Sequence, residues 1–422
     1  MGRSILPTGF AQGIANTLYR AAGSPDLRIR LWTGDEVGAP PSTSAGTLVI
    51  RSPLALVRLA IDPELELGDL FVQEQIDVEG ALDEFLAALL RREPKVGVSH
   101  WIPDSWRELA LSTGRSKAHQ NASHHYDVGN DFYACWLDEG MTYTCAYFPR
   151  PDATLEEAQF AKMDHVCRKL GLRPGDEVVE AGCGWGGFAL HMARHYGVRV
   201  RACNVAEEQV AYARERAEKE GLADRVEFVH DDYRNLHGKY DVFASVGMLE
   251  HVGMDHYEEL GSVIDRCLRP NGRGLLHTIG RSRPQLLNRW MRKRVFPNAH
   301  PPTLGEMMRI LEPRNFAVLD AENLRIHYRL TASHWLRRFE READRIEALV
   351  GRELARTWRF YLAGTTASFE TATVQLFQVL FSRAGNDHIP LTREHQYSGD
   401  APIFADEALD GAPRDGGSLG ER

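Results

Sequence analysis

A chain of 422 residues, 43% hydrophobic and 26% charged, has the composition of a folded globular protein and the length of one large or two ordinary domains. Its 59 acidic residues against 50 Lys and Arg give a net charge of −9, which argues against a general nucleic-acid binder. No run reaches the roughly 20 apolar residues of a membrane-spanning helix. The first 20 residues lack the apolar stretch of a signal peptide, so the expectation is a cytoplasmic protein whose membrane contact is peripheral.

In chain order, residues 1–115 mix a short helix, strand-like pieces such as Gly46–Arg51, and a helix near Ala81–Leu90 with Leu82, Phe85, Leu86, Leu89 and Leu90 at helical spacing. This predicts a smaller N-terminal α+β domain. Residues 113–124 are small and polar and suit a linker. From about 155 the pattern becomes α/β: a helix over Leu155–Leu170 closed by Gly171, then the strands GDEVVEA, VRVRACNV, RVEFVHD, YDVFASVG and GRGLLHTIG with helices between them. Short apolar runs separated by helices predict a parallel sheet covered on both faces. Residues 331–384 are expected to be mainly helical, closing a catalytic domain over 116–384. From Gly385 the chain is rich in Gly, Pro and charge and is expected to be a loose tail. The six cysteines (Cys135, Cys145, Cys167, Cys183, Cys203, Cys267) form no C-x-x-C pair, suit a reducing compartment, and suggest no metal site.

The first of those strands ends in Glu180-Ala181-Gly182-Cys183-Gly184-Trp185-Gly186-Gly187 and runs straight into a helix. Glycines there permit a tight turn and close backbone approach to an adenosine-bearing cofactor at a helix N-terminus. Gly187 would complete a dinucleotide fingerprint, but the acid expected at the end of the second strand is replaced by Asn204. An acid before the glycines, E-x-G-x-G-x-G, is instead typical of methyltransferases, and Glu180 is expected to point into the ligand crevice. Asp232 followed by Tyr233 would offer an adenine an acceptor and a stacking face.

Longer motifs then agree: HYDVGNDFY over 125–133, MTYTCAYF over 141–148, GMLEHVG over 247–253, LHTIG over 276–280, Phe296-Pro297-Asn298, His327-Tyr328 and QLFQVLFS over 375–382. With the glycine loop they resemble the cyclopropane-fatty-acyl-phospholipid synthases and mycolic acid cyclopropane synthases, in order from about 120 to 384. The resemblance implies a Rossmann-like class I methyltransferase with a mostly parallel seven-stranded sheet, using S-adenosylmethionine, and an N-terminal lipid-side domain. It implies that Tyr143, Thr144, Gly182, Gly184, Asn204, Gln209 and Tyr233 contact the cofactor; Tyr126, and Glu180 and Asp232 from their places at the strand ends, are expected to join them. Family members often carry Thr-x-Ser where this chain has Asn204-Val205-Ala206; Asn keeps a group for a ribose hydroxyl and Ala does not.

An isolated alkene must attack the sulfonium methyl with its π electrons, leaving a carbocation on the acyl chain. Ring closure needs a base for a proton of the new methyl group. Tyr126, Tyr143, Tyr147, Phe148, Trp185 and Tyr328 could wall the cation, each aromatic face contributing about 0.5–2 kcal/mol. The resemblance implies a bound bicarbonate as the base, held by Glu250, His277 and Tyr328 with backbone groups of Cys145 and Ile279. The substrate would be an unsaturated fatty acyl chain of a phospholipid, with a methylene- or methyl-branched product as the alternative fate of the same cation. Between Arg281 and Arg294 the segment RSRPQLLNRWMRKR has six basic residues and no acid. It is expected to dock on anionic headgroups, with Leu286, Leu287, Trp290 and Phe296 entering the interface. Family members are often dimers, so a homodimer is an open expectation.

Overall fold

The computed structural model describes residues 8–91 and 128–398. The N-terminal unit has helix α1 (Thr8–Ala21) and the strands β1 (Arg28–Arg30), β2 (Glu36–Gly38), β3 (Thr47–Ile50) and β4 (Ile76–Glu79), in sheet order β2-β1-β3-β4. Its other helices are α2 (Pro53–Ile61), α3 (Pro63–Val72) and α4 (Leu82–Leu90). Ser52 and Asp62 cap α2 and α3, each followed by a proline whose missing N–H costs nothing in a first turn.

The second unit begins with α5 (Asn130–Ala134) and α6 (Leu155–Leu170). A capping box between Thr154 and Glu157 starts α6, and Gly171 at φ 56° stops it, where the sequence predicts. Then follow β5 (Glu177–Ala181), α7 (Gly187–Tyr196), β6 (Arg199–Asn204), α8 (Glu207–Lys219), β7 (Val226–His230), β8 (Tyr240–Val246), α9 (Tyr257–Cys267) and β9 (Leu268–Gly280). The chain continues through α10 (Arg289–Arg294), α11 (Leu304–Leu311), β10 (Phe316–Asn323), α12 (Arg325–Arg341), α13 (Ala343–Val350), α14 (Arg352–Glu370), β11 (Gln375–Arg383) and α15 (His395–Ser398). The seven strands order as β10-β11-β9-β8-β5-β6-β7. Pairing is parallel from β9 through β7, while β11 runs antiparallel to both its neighbours. This is the Rossmann-like class I methyltransferase fold that the resemblance implies.

Residues 331–384 are mainly helical, as expected, through α12, α13 and α14. Their last stretch, 375–383, forms β11, with eight of its nine residues buried and no alternation to separate it by pattern from a buried helix. One expectation changes. The chain past Gly385 is not loose as far as Ser398. Arg393 pairs with Asp320 at 3.1 Å, and His395 and Gln396 are buried where α15 returns to α6. Residues 399–422 lie outside the described residues.

The N-terminal unit does not close its core alone. Leu56, Leu70, Phe71 and Leu86 share one buried cluster with Phe360, Leu362 and Ala363 of α14. The Phe71 and Phe360 rings lie 5.3 Å apart, and Arg356 donates to the Phe71 carbonyl at 2.7 and 2.9 Å.

Candidate active site

The glycine loop lies at the carboxyl ends of the parallel strands, the edge where open α/β sheets bind ligands. Gly182, Gly184 and Gly186 all have positive φ (84°, 52° and 81°), a conformation costly for other residues. A side chain at Gly182 would strike Met248 and one at Gly186 would strike Phe228, whereas a Cβ at Gly184 would meet nothing within 4 Å. The loop is pinned from the next strand: Gly182 and Cys183 donate to the Cys203 carbonyl at 2.9 and 3.1 Å. Asn204 donates to the Gly184 carbonyl at 3.4 Å and to Gln209 Oε1 at 2.7 Å, bringing three of the expected cofactor residues together.

Glu180 is 2% exposed, and its Oε2 has no hydrogen-bond partner among the described residues. Burial pushes its carboxyl up to about 8, against the pull of the Lys162 ammonium. It is therefore not a solvated strand-end acid. Asp232 differs from expectation: one oxygen caps the Arg234 N–H and the other meets Arg234 Nη1, both at 2.9 Å, so its carboxylate is already neutralised. Tyr233 is buried beside it under the Arg234 guanidinium.

Opposite the loop, residues 138–146 are held from below by a buried polar face of α6 that the sequence did not reveal. Asp138 accepts from the Gly140 and Thr142 N–H groups at 2.9 and 2.8 Å. Gln159 donates to the Thr142 and Thr144 carbonyls at 3.2 and 2.9 Å, and Lys162 Nζ donates to Thr144 Oγ1 at 2.9 Å. One turn and two turns on, His165 and Lys169 meet Glu322 of β10 at 2.9 and 2.5 Å. Burial opposes ionisation of Glu322, but His165 and Lys169 outweigh it and bring its carboxyl down to about 2. Polar residues at helical spacing ordinarily mark a solvated face, and only the sheet packed against α6 shows that these are enclosed.

Most of the residues expected to hold the anion are linked around the end of β9. Glu250 accepts from Thr278 Oγ1 at 2.7 Å and from the Ile279 N–H at 3.4 Å, and burial raises its carboxyl. Ile279 pairs in register with Leu376 of β11, whose carbonyl accepts from Leu324 N–H at 2.9 Å. The Leu324 carbonyl in turn accepts from Tyr328 N–H at 3.1 Å and lies 4.0 Å from Cys145 Sγ. Ala146 N–H donates to Thr331 Oγ1 one turn further along α12. These contacts link Glu250, Ile279, Tyr328 and Cys145 through one corner of the fold. His277 lies two residues back on the same face of β9, 1% exposed. Gln378 Nε2 is 3.0 Å from its Nδ1; an amide nitrogen only donates, so Nδ1 accepts and Nε2 carries the hydrogen. That Nε2 is buried without a hydrogen-bond partner among the described residues. Burial, with the Lys162 charge, holds His277 well below its ordinary pKa and therefore neutral.

The aromatic walls are partly those expected. Tyr143 hydroxyl meets Tyr361 hydroxyl at 2.7 Å, and its ring lies within 5.2–6.3 Å of Tyr133, Trp136, Trp335 and Trp358. Tyr328 stacks on Phe369 at 4.2 Å, edge-on to Trp335. Trp185 lies 4.9 Å from Tyr133 and donates to Asn130 Oδ1. Tyr147 and Phe148 are elsewhere, stacked on His165 and His327 and on His334 respectively. Tyr126 lies outside the described residues.

Part of the basic segment is engaged within the protein. Arg281 is 4% exposed, Arg289 pairs with Asp62 at 2.5 Å, and Arg294 grips both oxygens of Asp69 at 2.9 and 2.6 Å. Trp290 is 2% exposed, edge-on to Phe360 and so close to Gly68 that no side chain would fit there. Phe296 packs on Tyr361. The segment straps the catalytic unit to α3, and Trp290 packs inward instead of facing a lipid surface. Arg289 and Arg294 looked solvent-directed because their acidic partners, Asp62 and Asp69, lie more than 200 residues away.

A doubly wound sheet with a reversed edge-side strand, a glycine turn behind a buried acid, and polar groups converging on the carboxyl edge define an S-adenosylmethionine-dependent methyltransferase. Comparison with known proteins narrows this. The family profile described as mycolic acid cyclopropane synthetase matches residues 113–379. A probable fatty acid methyltransferase of Pseudomonas putida is 34% identical over 393 residues, covering 88% of this chain and 96% of its own. The cyclopropane-fatty-acyl-phospholipid synthase of Escherichia coli K12 is 34% identical over 349 residues, covering 82% and 90%. The crystal structure of mycolic acid cyclopropane synthase CmaA1 complexed with SAH and CTAB matches with TM-score 0.59 and 27% identity over 62% of this chain and 97% of that one. The chain belongs to the mycolic acid cyclopropane synthetase family.

Proposed function

We propose that this enzyme adds the methyl carbon of S-adenosylmethionine to the double bond of an unsaturated fatty acyl chain of a phospholipid and closes a cyclopropane ring, with bicarbonate as base. Bound at the glycine turn, S-adenosylmethionine supplies an electrophilic sulfonium methyl. Gly182, Gly184, Asn204, Gln209, Tyr233, Tyr143 and Thr144 would hold it, and the open side of Gly184 suits close approach of a ligand to the backbone. The buried, unpartnered Glu180 oxygen suits its ammonium group.

The observation that carries the ring-forming reading is His277, a neutral imidazole near the end of β9 whose Nε2–H is enclosed and unmatched among the described residues. An unpaired buried donor is costly, by about 1–3 kcal/mol, and an oxyanion would relieve it. Glu250, its carboxyl raised by burial, can share a proton with such an anion. The rings of Tyr143, Tyr328, Trp335 and Trp358 exclude water and present π faces to a cation. The Ile279 N–H, expected as a donor to the anion, is engaged by Glu250 at 3.4 Å, a contact long enough to give way.

The relative from Pseudomonas putida is named as a methyltransferase, and a methyl- or methylene-branched product is the second reading. Retention of Cys145, Glu250, His277 and Tyr328 favours the ring. Among the described residues no helix is long and apolar enough to cross a membrane, and we place the enzyme in the cytoplasm, meeting lipid at the inner membrane face. Incubating it with unsaturated phospholipid and methyl-labelled S-adenosylmethionine, then hydrogenating the fatty acids, decides between products. Label in a chain heavier by one CH2 that takes up no hydrogen supports the ring; label in a chain that takes up hydrogen, or that is heavier by CH4, overturns it.

A further inference from the structure

Lys162 is 2% exposed and lies on α6, directly beneath the segment facing the glycine turn. Its ammonium has donors only, so at 2.9 Å the Thr144 oxygen must accept from it. The hydroxyl hydrogen of Thr144 is then left to point away from Lys162. The side chain has little freedom to do otherwise: a Cβ at Gly247 would lie 2.7 Å from Thr144 Cγ2, so the methyl is packed on that glycine while the oxygen faces Lys162. Gln159 holds the Thr144 carbonyl, and Asp138 holds the turn before it. Thr144 is half-buried, which keeps its outer side accessible.

We infer that Lys162 is a positioning residue that makes the Thr144 hydroxyl a fixed donor to the carboxylate of S-adenosylmethionine. The inference rests on the cofactor reading above and adds which end of the cofactor this corner recognises. The carboxylate is the cofactor's one anionic group, and a buried ammonium behind the donor favours an anion in front of it. A lysine enclosed this completely is otherwise unfavourable. Burial brings its pKa down to about 8, opposed first by Asp138 and then by Cys145, Glu180 and Cys167 around it. Neutralising Glu180 or Asp138 would not by itself require Nζ to be aimed at a hydroxyl.

Calorimetric titration of the purified full chain with S-adenosylhomocysteine and with 5′-methylthioadenosine tests this, because the second ligand lacks the amino-acid end. Lys162→Met should weaken S-adenosylhomocysteine on the order of tenfold, the scale of one charge-assisted hydrogen bond, and leave 5′-methylthioadenosine within twofold. Relief of an ammonium cannot mimic this, since removing a cation would favour that group. Thr144→Val should show the same selectivity, and the double variant should lose no more than either single one. Equal losses for both ligands, or additive losses, would overturn the inference. Should Lys162→Met fail to fold, Thr144→Val and Lys162→Gln, which keeps a donor for Thr144, give the same comparison: selective loss in the first and near-normal binding in the second are expected, and the reverse overturns it. If the unaltered chain binds neither ligand, the cofactor reading itself fails, an outcome distinct from lost selectivity.

Discussion

Gln378 and His277 face each other across β11 and β9, with the amide nitrogen 3.0 Å from Nδ1 and both side chains enclosed. This contact selects which imidazole nitrogen bears the hydrogen. Gln378→Leu should lower turnover by roughly tenfold, the value of one buried hydrogen bond and its tautomer bias. Binding of S-adenosylhomocysteine should stay unchanged, since Gln378 touches none of the cofactor loop. His277→Ala should cost about 10²–10³-fold, the range for loss of one donor that holds an anion at the reacting site. Equal turnover in Gln378→Leu and the unaltered chain would remove the tautomer argument.

Glu250 is stabilised as a carboxylate by Thr278 and Ile279 against the opposing effect of burial. Thr278→Val removes the 2.7 Å donor, so the Glu250 pKa should rise further. The acidic limb of the kcat/KM profile, measured with labelled S-adenosylmethionine, should move to higher pH. An unmoved limb would show that Glu250 does not titrate in the free enzyme.

Glu180 contributes to stability with a definite sign. Burial raises its carboxyl from 4.5 to about 8, so the fold prefers the protonated form. Its contribution is complete below 4.5 and is lost as pH rises through 8. Lys162 runs the other way, its contribution present above 10.5 and lost as pH falls through about 8. Melting curves of Glu180→Gln relative to the unaltered chain should therefore shift in favour of the variant between pH 5 and pH 8. A difference that stays constant over that range would contradict the burial of this acid.

The strap over α3 makes a mechanical prediction. Asp69 is 8% exposed, and Arg294 is its bidentate partner. Arg294→Glu should lower the melting temperature by several degrees, and the added exchange Asp69→Arg should recover part of it. Liposome binding at fixed temperature should change little. A large loss of liposome binding without loss of stability would restore the segment as a membrane contact.

Much of the catalytic unit was legible because its elements carry local signals. The capping box and terminal glycine of α6, the five apolar runs that became β5 to β9, and the glycine turn each announce themselves within a few residues. What stayed hidden depends on distant partners. Lys162, His165 and Lys169 read as a solvated stripe until β9 and β10 are laid against α6. Arg289 and Arg294 read as free cations until Asp62 and Asp69 arrive from the N-terminal unit. Trp335, Trp358 and Tyr361 are at helical spacing, the pattern of ordinary core, and only their approach to Tyr143 marks them as part of the site.

The reversed strand β11 also sets an order of events during synthesis. It is the last strand among the described residues yet lies between β9 and β10, both made well before it. Until residues 375–383 leave the ribosome, β9 has an open edge, β10 has no neighbour in the sheet, and His277 lacks Gln378. A nascent chain can build its glycine turn early, but the Gln378 contact that sets the His277 tautomer must await translation of β11.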